Sequence, residues 1–149
     1  MPTPFESATL NLKLFDLRRE PTLREARQWF LADFNPETFA DLAAIAGGPR
    51  NAAVRMVLGY WDMAASLVTT GAIDGEAFRA AHGEIFLTFA KVYPFLSELR
   101  TAAGESAFCH HIEAVVLGAP DGEAIMTRRR AVAIAAAKAR ATSPPPQAG

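Results

Sequence analysis

The sequence predicts an all-α fold, a single helical bundle of about six to seven helices around a central helix near residues 50–70. Three observations predict it. Alanine, the best helix former, occurs 30 times. Glycine and proline, ten of each, fall mostly between periodic stretches and rarely inside them. No segment sustains a period-2 alternation between turn signals. Leu10, Leu12 and Leu14 alternate, but Leu10, Leu14 and Leu17 also form a helical stripe in alanine-rich surroundings.

The first helix is expected from about Phe5 to Arg19. Pro21 opens the second, with Glu20 placed to reach Arg24 and with Leu23, Ala26 and Phe30 as its stripe. Asn35-Pro36-Glu37 reads as the start of the third: Asn35 as N-cap, proline in the first turn, an acid after it. Phe39, Leu42, Ala43 and Ala46 would face the core, and Gly47-Gly48-Pro49 would stop the helix in a simple turn.

The fourth helix, about Arg50 to Thr70, is the most informative. Val54, Val57, Leu58, Trp61, Ala65 and Val68 form one apolar stripe; Met56, Tyr60, Met63 and Leu67 form a second. Arg55, Gly59, Asp62, Ser66 and Thr69 share one narrow polar strip. A helix apolar round most of its circumference must be covered on most sides, which makes this one central. Gly71 then suits the C′ position and Asp74 the next N-cap.

From Asp74 to about Ala103 the residues Phe78, His82, Ile85, Phe89, Val92, Leu96 and Leu99 keep a 3–4 spacing. That continuity predicts one long helix, or two nearly collinear ones, kinked before Pro94. A sixth helix is expected over Glu105 to Leu117 and a seventh over Glu123 to Ala141. Residues 1–142 are therefore expected to form one all-helical domain and residues 143–149 a disordered Pro-rich tail.

Composition excludes several classes. Half the residues are hydrophobic and 21% charged, too apolar for a disordered chain. Fifteen basic against sixteen acidic residues give a net charge of -1, which argues against a nucleic-acid binder. One cysteine excludes an intrachain disulfide framework and fits a reducing compartment. The first residues show no basic segment followed by an apolar run, and the most apolar stretch is interrupted by Arg55 and Asp62. No membrane span is expected, and a cytoplasmic location is.

Candidate chemistry is sparse. No G-x-S-x-G, G-x-x-x-x-G-K-[ST] or G-x-G-x-x-G occurs. Cys109, His110 and Glu113 fall on neighbouring helical positions, a spacing that lets two side chains meet a metal. A stable site wants three or four ligands, so the expectation is a His110–Glu113 surface pair with Cys109 as a small apolar filler, and no metal or cofactor. His82, on an apolar stripe, reads as a core histidine. Arg55 and Asp62 lie two turns apart, about 10 Å along the helix. They either find structural ion-pair partners on other helices or line a small polar pocket with Tyr60 and Trp61 at its edges. Arg55, Tyr60, Trp61 and Asp62 are the candidate ligand-binding residues. Arg128, Arg129 and Arg130 point about 100° apart and suit a solvated or partner-facing helix.

The stretch Trp61-x-Met63-Ala64, with Leu67-Val68, Gly71-x-Ile73-Asp74, Phe78, Phe86, Pro94 and Leu99-Arg100, resembles a bacterial all-helical domain family of unknown function. The likeness covers about the middle two-thirds of the chain. Members often carry a membrane-spanning helix ahead of the domain, and none is expected here. The resemblance implies a helical architecture and transfers no catalytic residues. The leading expectation is a non-enzymatic protein-interaction or scaffold domain; the alternative is a small-molecule-binding regulatory domain with a pocket beside the central helix. Broad apolar faces further suggest a homodimer through the C-terminal half, near Val116 and Leu117.

Overall fold

Nine α-helices and one 3-10 turn, and no strand, form among residues 1–147, the part of the chain that the computed structural model describes. Helix α1 (Pro4–Leu17) opens with a capping box: Thr3 Oγ1 accepts from the Glu6 amide, and the Glu6 carboxylate accepts from the Thr3 amide. Helix α2 (Pro21–Ala32) is capped by Glu20, whose carboxylate accepts from the amides of Thr22 and Leu23 at 3.1 and 2.8 Å. Glu20 is thus a cap, not a partner of Arg24. Helix α3 (Phe39–Ala46) starts later than Asn35-Pro36 suggests, because Thr38 and Asp41 form a reciprocal capping box. Asn35 is engaged elsewhere: its Nδ2 donates to the Ala32 carbonyl, and its Oδ1 accepts from Lys91.

Helix α4 (Asn51–Thr69) is the central one and ends at Gly71, whose φ of +82° is a conformation glycine adopts freely. Asp74 caps α5 (Gly75–Ala81) by accepting from the Ala77 amide. The long helix expected over 74–103 is broken into α5, α6 (Glu84–Ala90), the 3-10 turn Tyr93–Phe95 and α7 (Leu96–Ala103). His82 leaves helical geometry at φ -126° and ψ 49°, just before Gly83. Pro94, without an amide hydrogen, forces the second break. The burial phase nevertheless survives both breaks: Phe78, His82, Ile85, Phe89, Val92 and Leu96 are all buried. Helix α8 (His110–Leu117) starts well after Glu105, because Cys109 takes a left-handed φ of +56°. Helix α9 (Gly122–Thr142) closes the order, and residues 144–147 carry no regular element. The last two residues of the expected tail lie outside the described part.

Around α4 the main packing partners are α8 and α2, while α9 lies against α6. One apolar core runs from Leu14 to Met126, with Trp61, Phe30, Phe34, Phe78 and Phe89 fully buried. The second stripe of α4 is only partly covered: Tyr60 is buried, but Met56 and Met63 are exposed. Val116 is fully buried inside the chain, so of the two residues expected at a dimer face only Leu117 reaches the surface.

Buried polar groups join the helices. Lys91, nearly inaccessible, donates to the carbonyls of Phe30 and Leu31 at 2.8 and 2.7 Å and to Asn35 Oδ1 at 3.0 Å. It satisfies the carboxyl end of α2, whose last carbonyls have no partner in their own helix. Burial pushes its ammonium down to about 8. Arg27 and Arg18 both reach Glu84, at 2.5 and 3.6 Å. The arginines of α9 do more than face solvent: Arg129, Arg130 and Arg140 donate to the carbonyls of Gly83, Pro36 and Ala32.

Candidate functional site: a cleft beside the central helix

The first part of the polar strip of α4, Arg55, Gly59 and Asp62, faces a cleft of about 540 Å³. Phe34, Leu42, Val54, Leu58, Val92, Leu99 and Phe108 line it with apolar surface. Asn51, Arg55, Asp62, Glu105 and Cys109 supply the polar groups. Gly59 sits in the α4 wall, where an added Cβ would meet nothing within 4 Å. Glycine inside a helix costs about 1 kcal/mol relative to alanine, and no close packing against this one requires its absent side chain. Its effect is to widen the cleft.

The four candidate residues divide between two sides of α4. Arg55 and Asp62 line the cleft. Tyr60 and Trp61 turn into the core. The Tyr60 hydroxyl donates to the Leu14 carbonyl at 2.5 Å, and burial pushes its pKa up to about 12. Trp61 is fully buried, its ring edge-on to Tyr60.

Of the two alternatives the spacing offers, ion pairs or a pocket, neither Arg55 nor Asp62 forms an ion pair among the described residues. Asp62 Oδ1 accepts from the amides of His111 and Ile112, both at 3.1 Å. Those are the orphan donors at the start of α8, and Cys109, at the cap position, makes no side-chain bond to them. A carboxylate borrowed from α4 therefore caps α8 and suits its dipole. Asp62→Ala should lower stability in urea by about 1–2 kcal/mol, and Asp62→Asn, which keeps the acceptor oxygen, by less. Equal losses in the two variants would place the effect elsewhere than in the cap. Arg55 is exposed and makes no hydrogen bond or ion pair with any described residue.

Cys109, His110 and Glu113 are not gathered round a point. Cys109 is buried, and burial, followed by the nearby Asp62 charge, pushes its thiol up to about 12. Glu113 is bonded to Arg100. His110 is exposed, and its ring meets that of His111 edge-on with ring centres 5.5 Å apart. No cluster of three or more His, Cys, Asp or Glu groups able to share an ion occurs among the described residues. His111, Glu105 and Asn51 are site or near-site residues that sequence reasoning passes over. The His111 Nδ1 lies 2.7 Å from Thr69 Oγ1, and Asn51 Nδ2 donates to the Ala46 carbonyl at 2.5 Å. Nothing in the spacing marks them, because the segment 105–109 that brings α8 to α4 is irregular.

Comparison with protein families finds one whose description reads "Domain of unknown function (DUF4760)", matching residues 4–118. The chain belongs to this family. Every residue lining the cleft lies within the DUF4760 match, whereas α9 lies beyond it. No curated protein and no solved structure matches the chain. No helix among the described residues of this DUF4760 member is long and apolar enough to cross a membrane.

Proposed function

We propose that this domain binds a small molecule with an apolar body and one anionic head, seated in the cleft beside α4. The observation that carries the reading is the unpaired Arg55 guanidinium at an otherwise largely apolar cleft. The volume falls within the roughly 300–1,000 Å³ usual for ligand sites. A guanidinium recognises a carboxylate through two parallel hydrogen bonds, which orients the ligand while the apolar wall supplies contact area. Asp62 Oδ1 is taken up by the α8 amides, and neither Asp62 nor Glu105 of the cleft makes an ion pair with Arg55. The single cysteine, Cys109, is buried and compatible with a reducing compartment, and we propose a cytoplasmic location.

Calorimetric titration with decanoate and with decanol tests the reading. Arg55→Gln should weaken decanoate binding about tenfold, the loss of one charge-assisted contact, and leave decanol unchanged. Gly59→Leu projects into open space and should abolish binding of both without unfolding the chain. A wild-type chain that binds neither compound, or a Gly59→Leu variant that binds both normally, overturns it.

A further inference from the structure

A second groove, of about 340 Å³, runs between α9 and the body of the domain and shares no residue with the cleft beside α4. Leu31 at the end of α2, Leu87 of α6, and Ala133 and Ala136 of α9 give it an apolar floor. Arg128, Arg129 and Arg140 are its charged lining, and among the described residues no carboxylate lines it. None of the three arginines forms an ion pair with a described residue. Neutral carbonyls fix two of them instead. Arg129 donates to Gly83 and Arg140 to Ala32, both at 2.6 Å, and the Arg129 guanidinium lies 5.6 Å from the Phe86 ring centre. Such a bond occupies one N–H and leaves the positive charge and the remaining donors. Arg128 is exposed and makes no hydrogen bond with a described residue.

Charge is also segregated along the chain. Residues 121–149 hold five basic and two acidic side chains, whereas residues 1–120 hold ten basic and fourteen acidic. The basic wall of the groove lies wholly beyond residues 4–118, the part matched to the family. A cationic groove with an apolar floor, on an otherwise acidic body, selects its occupant by charge. We propose that this groove binds an acidic amphipathic helix of a partner protein.

The apolar side chains of that helix enter the hollow, where the small Ala133 and Ala136 permit close approach. Arg129 and Arg140 lie eleven positions apart on α9. That separation is about 16 Å, so carboxylates about three turns apart on a helix lying alongside meet both guanidiniums. Because the carbonyls already hold those two side chains, little rotamer freedom remains to be lost on binding. Two other anionic partners fit less well. A nucleic acid runs past the groove on to a body with an excess of acids, and the floor offers no aromatic face to a base. A membrane is flat, and α9 offers it one exposed large apolar residue, Val132.

Fluorescence anisotropy tests the proposal with a labelled helical peptide that carries glutamates about eleven residues apart and leucines between them. The wild-type chain should bind it, and less tightly as sodium chloride is raised, because exposed charges are screened. A peptide with glutamine in place of glutamate should bind at least about tenfold more weakly. Arg128→Glu and Val132→Glu, both at exposed positions, should each weaken binding of the glutamate peptide about tenfold or more, with unchanged helix content and Tm. Oligothymidylate and phosphatidylcholine–phosphatidylglycerol vesicles run beside it and should show no binding that depends on Arg128. A wild-type chain that does not bind the glutamate peptide overturns the proposal. So do two peptides bound alike, a variant that binds as the wild type does, or binding of oligothymidylate or vesicles that Arg128→Glu abolishes.

Discussion

Trp61→Ala should destabilise the chain by about 3–5 kcal/mol. The indole is fully inaccessible, at the middle of the helix that α2 and α8 pack against. Its ring centre lies 5.1 Å from Tyr60 and 5.9 Å from His82, with the Arg18 guanidinium 5.7 Å above it. Those neighbours are themselves held: Tyr60 by the Leu14 carbonyl and His82 by Asn11. They cannot collapse into the space left by the ring, so the cavity term adds to the lost transfer free energy. Trp61→Phe should cost less, because it keeps an aromatic body and removes an indole N–H that has no hydrogen-bond partner. Chemical denaturation measures both. A loss under about 1 kcal/mol for alanine would put the ring outside the core.

The legible part of the fold is the part that burial periodicity writes. In α4 the stripe Val54, Val57, Leu58, Trp61 and Ala65 is buried as its spacing predicts. The strip Arg55, Gly59 and Asp62 faces the cleft on one side of the same helix. Helix breaks were less legible. The phase from Phe78 to Leu96 runs on across His82 and Pro94 because a short non-helical step can preserve which side faces inward. Periodicity thus finds the buried side chains and misses the chain path between them. The site was legible in half. The shared strip predicts that Arg55 and Asp62 face the same side, and both line the cleft, but Tyr60 and Trp61 turn away into the core. The sequence leaves Asp62 either an ion pair or a place in a pocket, and in the structure it lines the cleft while its hydrogen-bond partners are backbone amides. Amides are present at every position and carry no mark in the sequence, so a cap supplied by another helix cannot be anticipated. The outward face of α1 was hidden for a related reason. Leu10, Leu14 and Leu17 suggest a core stripe, whereas the helix is oriented by Ser7 and Asn11, whose partners lie at Asp74 and His82.

His82 should make the chain sensitive to mild acid, with a loss of about 3 kcal/mol between pH 7 and pH 4. The imidazole is fully inaccessible, against Trp61 and Phe78. Burial, with a further contribution from the Arg18 charge and against that of Glu84, pushes its pKa from 6.5 down to about 4. In the unfolded chain the ring takes up its proton near pH 6.5, while in the folded chain it resists until about pH 4. Between those values the unfolded state binds more protons, so stability falls as pH falls and the loss is complete below the folded value. Well above pH 6.5 the ring is neutral in both states and contributes no slope. Glu6, Glu20 and Asp41, held below their ordinary values mainly by backbone hydrogen bonds, add their own losses. Those begin near the unfolded carboxylate range, below most of the window from about pH 6.5 to 4.5 in which His82 acts. Urea midpoints measured across it should decline for the wild type. His82→Gln, whose amide can still meet Asn11, should give a nearly level line there. A wild-type line as level as the variant's would mean that the imidazole reaches water.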